Sequence, residues 1–571
     1  MKDIIRESLF GQAINHLSKG KYFPYPEDRA DFQIPPHFLL PHQRGSANSS
    51  KTITPETTLS TRVPSPLPPI HRQHSDQRTL NDAHAQEAIE KNLHAAKYQL
   101  EEGKDPNLVG WYSDDDSENP QNWSNGRKIL LMVLMQILTF SVYIGSAIYT
   151  PSIPGIMEEF GVSYTKATLG LSLYVLAYGL GPMVLSPLSE IPSFGRLNVY
   201  MITLALFALL QIPTALAPNY STLMAMRFLA GFVCSPALST GGATLADVFK
   251  PMTLPYAISL WAAGAVAGPV FGPVAGGYAA QETGWRTPLY MLLGLAVACF
   301  VVLFFLFPET SADTILLRRA RRLRKLTGNN QLRSKSEIDQ AQMAFSEVLS
   351  TALLRPFVLF FEPVVLFIDV YIALVYSIFY LWFEAFPIVF SDIYGFGLGA
   401  SGLPFLGFIV ALIPTLGGYI AYQRYWVIPD FQKTGVLIPE SRLKVALFGS
   451  FIPPIALLIF GWTSRSNVHW MGAVIGASLY LPGIYLIFQG AIVYLPMSYQ
   501  QYAASILAGN ALLRGASGAA FPLFGHAMFE TLTIGGGSSL LAGLSALMIP
   551  PLFLLYKHGA KLRQRSKYAT N

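Results

Sequence analysis

Between Ala257 and Ala280 the chain reads AISLWAAGAVAGPVFGPVAGGYAA. No charge interrupts it, and wound as a helix it is about 36 Å long, enough to cross the roughly 30 Å of hydrocarbon in a bilayer. Gly264, Gly268, Gly272 and Gly276 recur every four residues, with Gly277 beside the last. Glycines at that spacing share one helix face and let another backbone approach closely. Pro269 and Pro273 each remove a hydrogen bond from the same helix, so it is expected to bend. A long, uncharged, bent helix with a groove of glycines along one side implies a membrane.

Eleven further apolar runs surround it. The expected spans are 129–150, 166–187, 197–217, 222–246, 257–280, 288–308, 357–383, 402–422, 443–462, 470–494, 503–525 and 538–556. Over all 571 residues, 51% are hydrophobic and 13% charged, against about 25% charged in soluble proteins, and the mean hydropathy is +0.37. A soluble enzyme is excluded. The net charge of +6 invites a nucleic-acid reading, but the charges follow membrane topology, so no nucleic-acid partner is expected. Two cysteines, Cys234 and Cys299, cannot build a disulfide framework or a thiolate metal site. No phosphate-binding glycine loop ending in Lys-Ser/Thr occurs, and no zinc-type cluster, so neither cofactor nor metal is expected.

Twelve spans place both termini on one side. The loops on that side carry 22 Lys and Arg, the opposite loops only Lys166, Arg286 and Arg465, which predicts cytoplasmic termini. The spans fall as six, a hydrophilic loop, and six, the layout of two bundles facing a central site. The expected division is a largely disordered cytoplasmic tail (1–128), a first bundle (129–308), a cytoplasmic loop (309–355), a second bundle (356–557) and a basic C-terminus (558–571). Residues 81–102 suggest a short helix in the tail. In the loop, Leu316, Ala320 and Leu323 form an apolar stripe among Arg318, Arg319, Arg321, Arg322, Arg324 and Lys325. That pattern predicts an amphipathic helix on anionic lipid headgroups.

Residues 264–277 resemble motif C of the antiporters of the major facilitator superfamily, in which the bent fifth helix packs against the other bundle. Gly181 through Ser186-Pro187-Leu188-Ser189-Glu190 to Gly195-Arg196 resembles motif A, with a longer acid-to-glycine spacing and no basic residue directly after the acid. Arg227-Phe228-Leu229-Ala230-Gly231, continuing to Asp247, is similar to motif B, and Pro308-Glu309-Thr310 also matches. Glu118 to Trp123, Glu362-Pro363, Tyr380 to Pro387 and Phe521 to Phe524 narrow the likeness to fungal twelve-span drug:proton antiporters, close to those of benomyl and fluconazole resistance.

The resemblance implies an all-α integral membrane protein of the major facilitator fold, twelve transmembrane helices in two six-helix bundles. It implies a monomer in the plasma membrane exporting amphipathic drugs, azoles and benomyl-like toxicants among them, by alternating access, driven by a proton gradient. It further implies a gating pair in Glu190 and Arg196, and a proton-tuning role for Arg227.

Proton coupling requires a titratable group that meets each side in turn. The carboxylates in or near the spans are Asp247, Glu309, Glu362, Asp369 and Glu384. Glu362, Asp369 and Glu384 fall along one stripe of the seventh helix, expected to face a water-filled cavity, with Asp369 the deepest. Broad specificity needs apolar walls with a few adaptable polar groups. Tyr371, Tyr376, Phe379, Tyr380, Tyr480, Tyr485, Gln489 and Asn510 supply them, alongside Glu362 and Glu384. Two other readings compete: export of polyamines or a secreted metabolite by the same fold, which the acidic stripe favours, and a non-transporting nutrient receptor.

Overall fold

The computed structural model describes residues 2–18, 21–29, 32, 34–35, 38–39, 107–341, 354–435 and 438–569; the helix expected at 81–102 lies outside them. The spanning helices are α1 (Asn125–Ala147), α2 (Tyr164–Leu188), α3 (Gly195–Ala215), α4 (220–248), α5 (Leu254–Thr283) and α6 (Thr287–Leu306) in the first bundle. In the second they are α7 (Pro363–Phe386), α8 (Leu406–Tyr422), α9 (Glu440–Thr463), α10 (Met471–Ser498), α11 (503–532) and α12 (534–565).

Among the described residues, ten helical segments are long and apolar enough to cross a membrane. One of them, Ala503–Arg565, reverses at Thr533, whose φ of 64° breaks the helical path, and so supplies both α11 and α12. The fourth crossing is too short to qualify because Pro236 interrupts it after Cys234. The twelve crossings are thereby accounted for, and an even number leaves both termini on one face, called here the terminal face.

Packing follows side-chain chemistry. Ile202, Leu206 and Leu209 of α3, Val297, Val301 and Phe305 of α6, and Val410 and Ile413 of α8 lie exposed, as befits surfaces that meet lipid. Where the bundles cross, small residues replace large ones. A Cβ on Gly179 of α2 would come 2.9 Å from the Cα of Gly515 on α11, so only glycine permits this approach.

The described part of the N-terminal tail is folded, contrary to the expectation of disorder. Helices Lys2–Glu7 and Leu9–Ser18 lie beside α6, Phe10 packing on Phe305. Leu108–Val109 pairs in parallel with Arg333–Ser334 of the loop between the bundles. The basic helix forms at Ala312–Thr327, but its stripe faces protein: Ala320 and Leu323 pack with Phe38, Val109 and Leu332. The lipid-facing placement is therefore corrected. Fully buried Arg319 explains why. It donates to Asp116 Oδ2 (2.7 Å) and Glu118 Oε2 (2.8 Å) and lies over the Tyr112 ring, while Arg322 donates to Glu27 Oε2 (2.9 Å). Guanidinium groups paired this way are drawn inward, and the apolar stripe follows them.

Burial pushes the Glu27 carboxyl up, but the charge of Arg322 and the hydroxyl of Tyr112, donating at 2.7 Å, outweigh it and hold Glu27 below the usual carboxylate range. Asp116 behaves likewise: burial is overcome by its hydrogen bond to Arg319 and that residue's charge. For Glu118 burial wins, and its carboxyl is pushed up despite Arg322 and Arg319.

Candidate functional site: the cavity between the bundles

A cavity of about 960 Å3, counting space open to solvent, lies between the bundles. Its first-bundle wall comes from Tyr143 of α1, Leu238 of α4, and Ile258, Trp261, Ala262, Ala265, Val266 and Pro269 of α5. Opposite stand Tyr376 and Phe379 of α7, Leu481, Ile484, Tyr485, Phe488 and Gln489 of α10, and Arg514 of α11. Of the residues expected at the substrate site, Tyr376, Phe379, Tyr485 and Gln489 line it.

The others are placed elsewhere. Tyr480 donates to the carbonyl of Val375 at 2.6 Å and packs edge-on against Trp382, inside the second bundle. Tyr371 is stacked on Phe367 and buried. Tyr380 belongs to a hydroxyl cluster joining the bundles, 3.0 Å from the Tyr178 hydroxyl and 3.3 Å from Ser146 Oγ; the hydroxyls of Tyr178 and Tyr376 also meet.

The expected acidic stripe does not face the cavity. Glu362 precedes α7 as its N-cap residue and is not in the helix at all, because Pro363 fixes the first turn after it. Asp369 is buried and turned toward α11, where Asn510 Nδ2 donates to its Oδ1 at 2.8 Å and its Oδ2 has no hydrogen-bond partner among the described residues. Glu384 is also buried, packed near Gly525 of α11 and beside the Tyr164 hydroxyl of α2, with no cationic partner among those residues. Both acids face α11 because the opposite side of α7 is filled by the rings of Phe379, Trp382, Phe383 and Phe386 packed on one another and on Phe405, Phe408 and Phe460.

The motif residues are partly rearranged. Arg196 Nε contacts Asp247 Oδ2 at 3.3 Å, and its Nη1 donates to Ser189 Oγ at 2.7 Å, whereas Glu190 is exposed. The expected Glu190–Arg196 pair is thus replaced by Arg196–Asp247. The cause is Glu309, which accepts the backbone N–H of Arg196 (3.1 Å) and of Ser311 (3.0 Å) and fixes the start of α3 facing α4.

Arg227 donates from Nε to the Gly170 carbonyl (3.1 Å) and from Nη1 to that of Gly145 (2.9 Å), between the rings of Tyr149 and Tyr174. Carbonyls and ring faces, rather than a carboxylate, hold this buried cation.

The glycine face of α5 lies against its own bundle. A Cβ at Gly268 would stand 2.8 Å from the backbone N of Ile144, at Gly272 2.7 Å from that of Ile148, and at Gly276 2.8 Å from the Ile148 carbonyl, all at the α1 end of the fold. Gly264 meets Gln136 of α1. Only Gly277 meets the other bundle, 2.9 Å from the Leu398 carbonyl, beside Gln281, whose Oε1 accepts from Gly399 N at 2.9 Å. The expectation that this face packs on the opposite bundle is corrected for four glycines and holds for the fifth. Beyond Pro269 the end of α5 meets Gly402 of the other bundle, whose Cβ would lie 2.6 Å from the Pro273 carbonyl.

Trp261, Tyr143, Tyr178 and Ser146 were not singled out from sequence. The signal was present for Trp261: 258, 261, 265 and 269 recur at helical spacing on the face of α5 adjoining its glycines.

Residues 135–522 match the model of the Major Facilitator Superfamily. The chain belongs to that superfamily. Three relatives cover most of this facilitator. It is 43% identical over 470 residues to transporter mfs1 of Schizosaccharomyces pombe, covering 81% of this chain and 88% of that one. It is 42% identical to fluconazole resistance protein 1 of Saccharomyces cerevisiae, covering 82% and 86%, and 39% identical to a cycloheximide resistance protein of Candida maltosa over the full length of both. The crystal structure of peptide transporter POT with alafosfalin superposes with a TM-score of 0.54 at 14% identity, covering 79% of this chain and 98% of that one, which shows the shared fold. The protein is a multi-pass membrane transporter and not an enzyme.

Proposed function

We propose that this facilitator exports amphipathic drugs, azoles and benomyl-like toxicants among them, from the cytoplasm across the plasma membrane in exchange for protons. The observation that carries the reading is the cavity itself: an aromatic and aliphatic chamber with walls from both bundles and few polar groups, the surface that broad recognition of apolar bodies requires. The named drug resistances of the relatives support it. The bundles, 129–308 and 356–557, rock about this chamber, with the excess of Lys and Arg holding both termini in the cytoplasm. The protein works as a monomer, its remaining exposed basic residues, such as Arg321 and Lys325, meeting anionic lipid headgroups.

Asp369 and Glu384 are the proton carriers of this scheme. Each is buried without a cationic partner, so a change in its charge must be matched by a change in its surroundings, and both lie on the α7–α11 seam. Polyamine export loses its support, because these acids face α11 and no carboxylate among the described residues lines the cavity.

The test is efflux of a labelled azole from cells expressing the wild type or Asp369→Asn, with and without a proton uncoupler. Uncoupler-sensitive efflux that the variant loses is the expected result. Efflux from the wild type that ignores the uncoupler overturns proton coupling; retained sensitivity in the variant removes Asp369.

A further inference from the structure

Among the described residues, Arg514 is the one ionisable group other than tyrosine on the cavity wall. Its guanidinium lies 5.0 Å from the centroid of Tyr376 and 5.6 Å from that of Phe488, and its Nε has no hydrogen-bond partner among the described residues. The nearest acid on the neighbouring seam, Asp369, is engaged by Asn510, one helical turn from Arg514 on α11. Asn510 therefore serves the acid while Arg514 faces the chamber.

A guanidinium at mid-depth in a membrane protein is normally paired, since ring faces satisfy only part of its charge and none of its in-plane N–H donors. Arg196, Arg286, Arg319 and Arg322 have carboxylates and Arg227 has two backbone carbonyls; Arg514 has two aromatic faces and an apolar chamber. The other cavity polar groups are largely committed: Tyr485 donates to the Ser259 carbonyl at 2.9 Å, Trp261 donates to Thr139 Oγ1 at 2.8 Å, and the Tyr376 hydroxyl is hydrogen-bonded to that of Tyr178.

We propose that Arg514 is the head-group receptor of the cavity and that the substrate class it selects is amphipathic monoanions, an aromatic or aliphatic body carrying one carboxylate. The body fills the space between Trp261 and Phe488; the carboxylate meets the in-plane N–H donors of Arg514, with Gln489 as a second donor. Cations are repelled by the same charge. Outward movement of an anion is also favoured by a membrane potential negative inside. The inference rests on the export reading for the direction of transport alone; the binding preference stands independently of it.

The test is binding to the purified full chain in detergent at pH 7, followed by the part of the tryptophan quenching that Trp261→Phe removes, since of the eight tryptophans Trp261 lines the cavity. The probes are anthracene-9-carboxylate and anthracene-9-carboxamide, alike in ring and differing in charge. The wild type is expected to bind the carboxylate at least tenfold more tightly. Arg514→Gln reduces that preference to within about twofold while still binding the amide, and Arg514→Lys retains part of it. Equal affinities in the folded wild type, or binding of neither probe, overturn the proposal whatever the variants do, as does a preference that survives in Arg514→Gln. Azole efflux is measured alongside. Efflux without carboxylate preference sinks this inference and leaves the drug reading; preference without azole efflux does the reverse.

Discussion

Arg227→Ala decides what the buried arginine of α4 does. Removing its side chain empties on the order of 100 Å3, which at ~24 cal/mol per Å3 of unrelaxed cavity costs about 2.4 kcal/mol. Two charge-assisted hydrogen bonds, to the carbonyls of Gly170 and Gly145, contribute about 3–6 kcal/mol together. The stacking between Tyr149 and Tyr174 adds about 1–4 kcal/mol. Opposing these is the desolvation of a fully buried guanidinium, several kcal/mol, which the substitution relieves. The favourable polar terms and the relieved desolvation largely cancel, so the cavity term dominates and the net loss is about 2–4 kcal/mol, roughly 30- to 700-fold in the folding equilibrium. The first bundle should lose stability: surface abundance and the thermal midpoint of the detergent-solubilised fusion, read by size-exclusion chromatography after heating, fall together with export. A proton-tuning role makes a different demand. If Arg227→Ala keeps wild-type abundance and midpoint yet loses uncoupler-sensitive efflux, the carbonyl-lock reasoning is refuted.

Gly268→Leu and Gly277→Leu should separate folding from transport. The first drives α5 off α1 and lowers abundance; the second obstructs the meeting with Leu398 of the other bundle and abolishes efflux at near-normal abundance, so equal abundance in both variants would contradict the assignment of faces. At the terminal face, Arg319→Ala leaves Asp116 buried without its counter-charge and Glu118 with Arg322 as its near partner, a loss of about 3–5 kcal/mol that should undock residues 2–18 and 21–29 and expose them to protease. Because Glu27 and Asp116 are held below the usual carboxylate range, their contribution to docking is complete at neutral pH and is lost only as pH falls through their depressed values; proteolysis of residues 2–18 and 21–29 that rises already between pH 7 and 5 would contradict this.

What the sequence determined is what a periodic or local signal carries. Twenty apolar residues must span a bilayer, because no other structure satisfies their backbone in hydrocarbon, and so the number of crossings and the division into six and six could be read directly. The glycine spacing announced a close helix contact, while the meeting of Glu309 with the start of α3 at Arg196 was not legible. The sequence was silent on which partner each face meets. Two adjoining faces of α5 look alike until packing assigns the glycines to α1 and Trp261 to the cavity. A stripe of acids on α7 reads as cavity-facing, yet the aromatic rings on its other side needed the interior of the second bundle more, and the acids were turned to α11. Likewise the basic stripe of Ala312–Thr327 is a lipid-surface signature in isolation, and only the acids of Glu27, Asp116 and Glu118, up to nearly 300 positions away, draw it inward. Helical period fixes which residues share a face; long-range competition among charges, rings and carbonyls for the same buried volume fixes where that face points, and that competition is settled only in the tertiary structure.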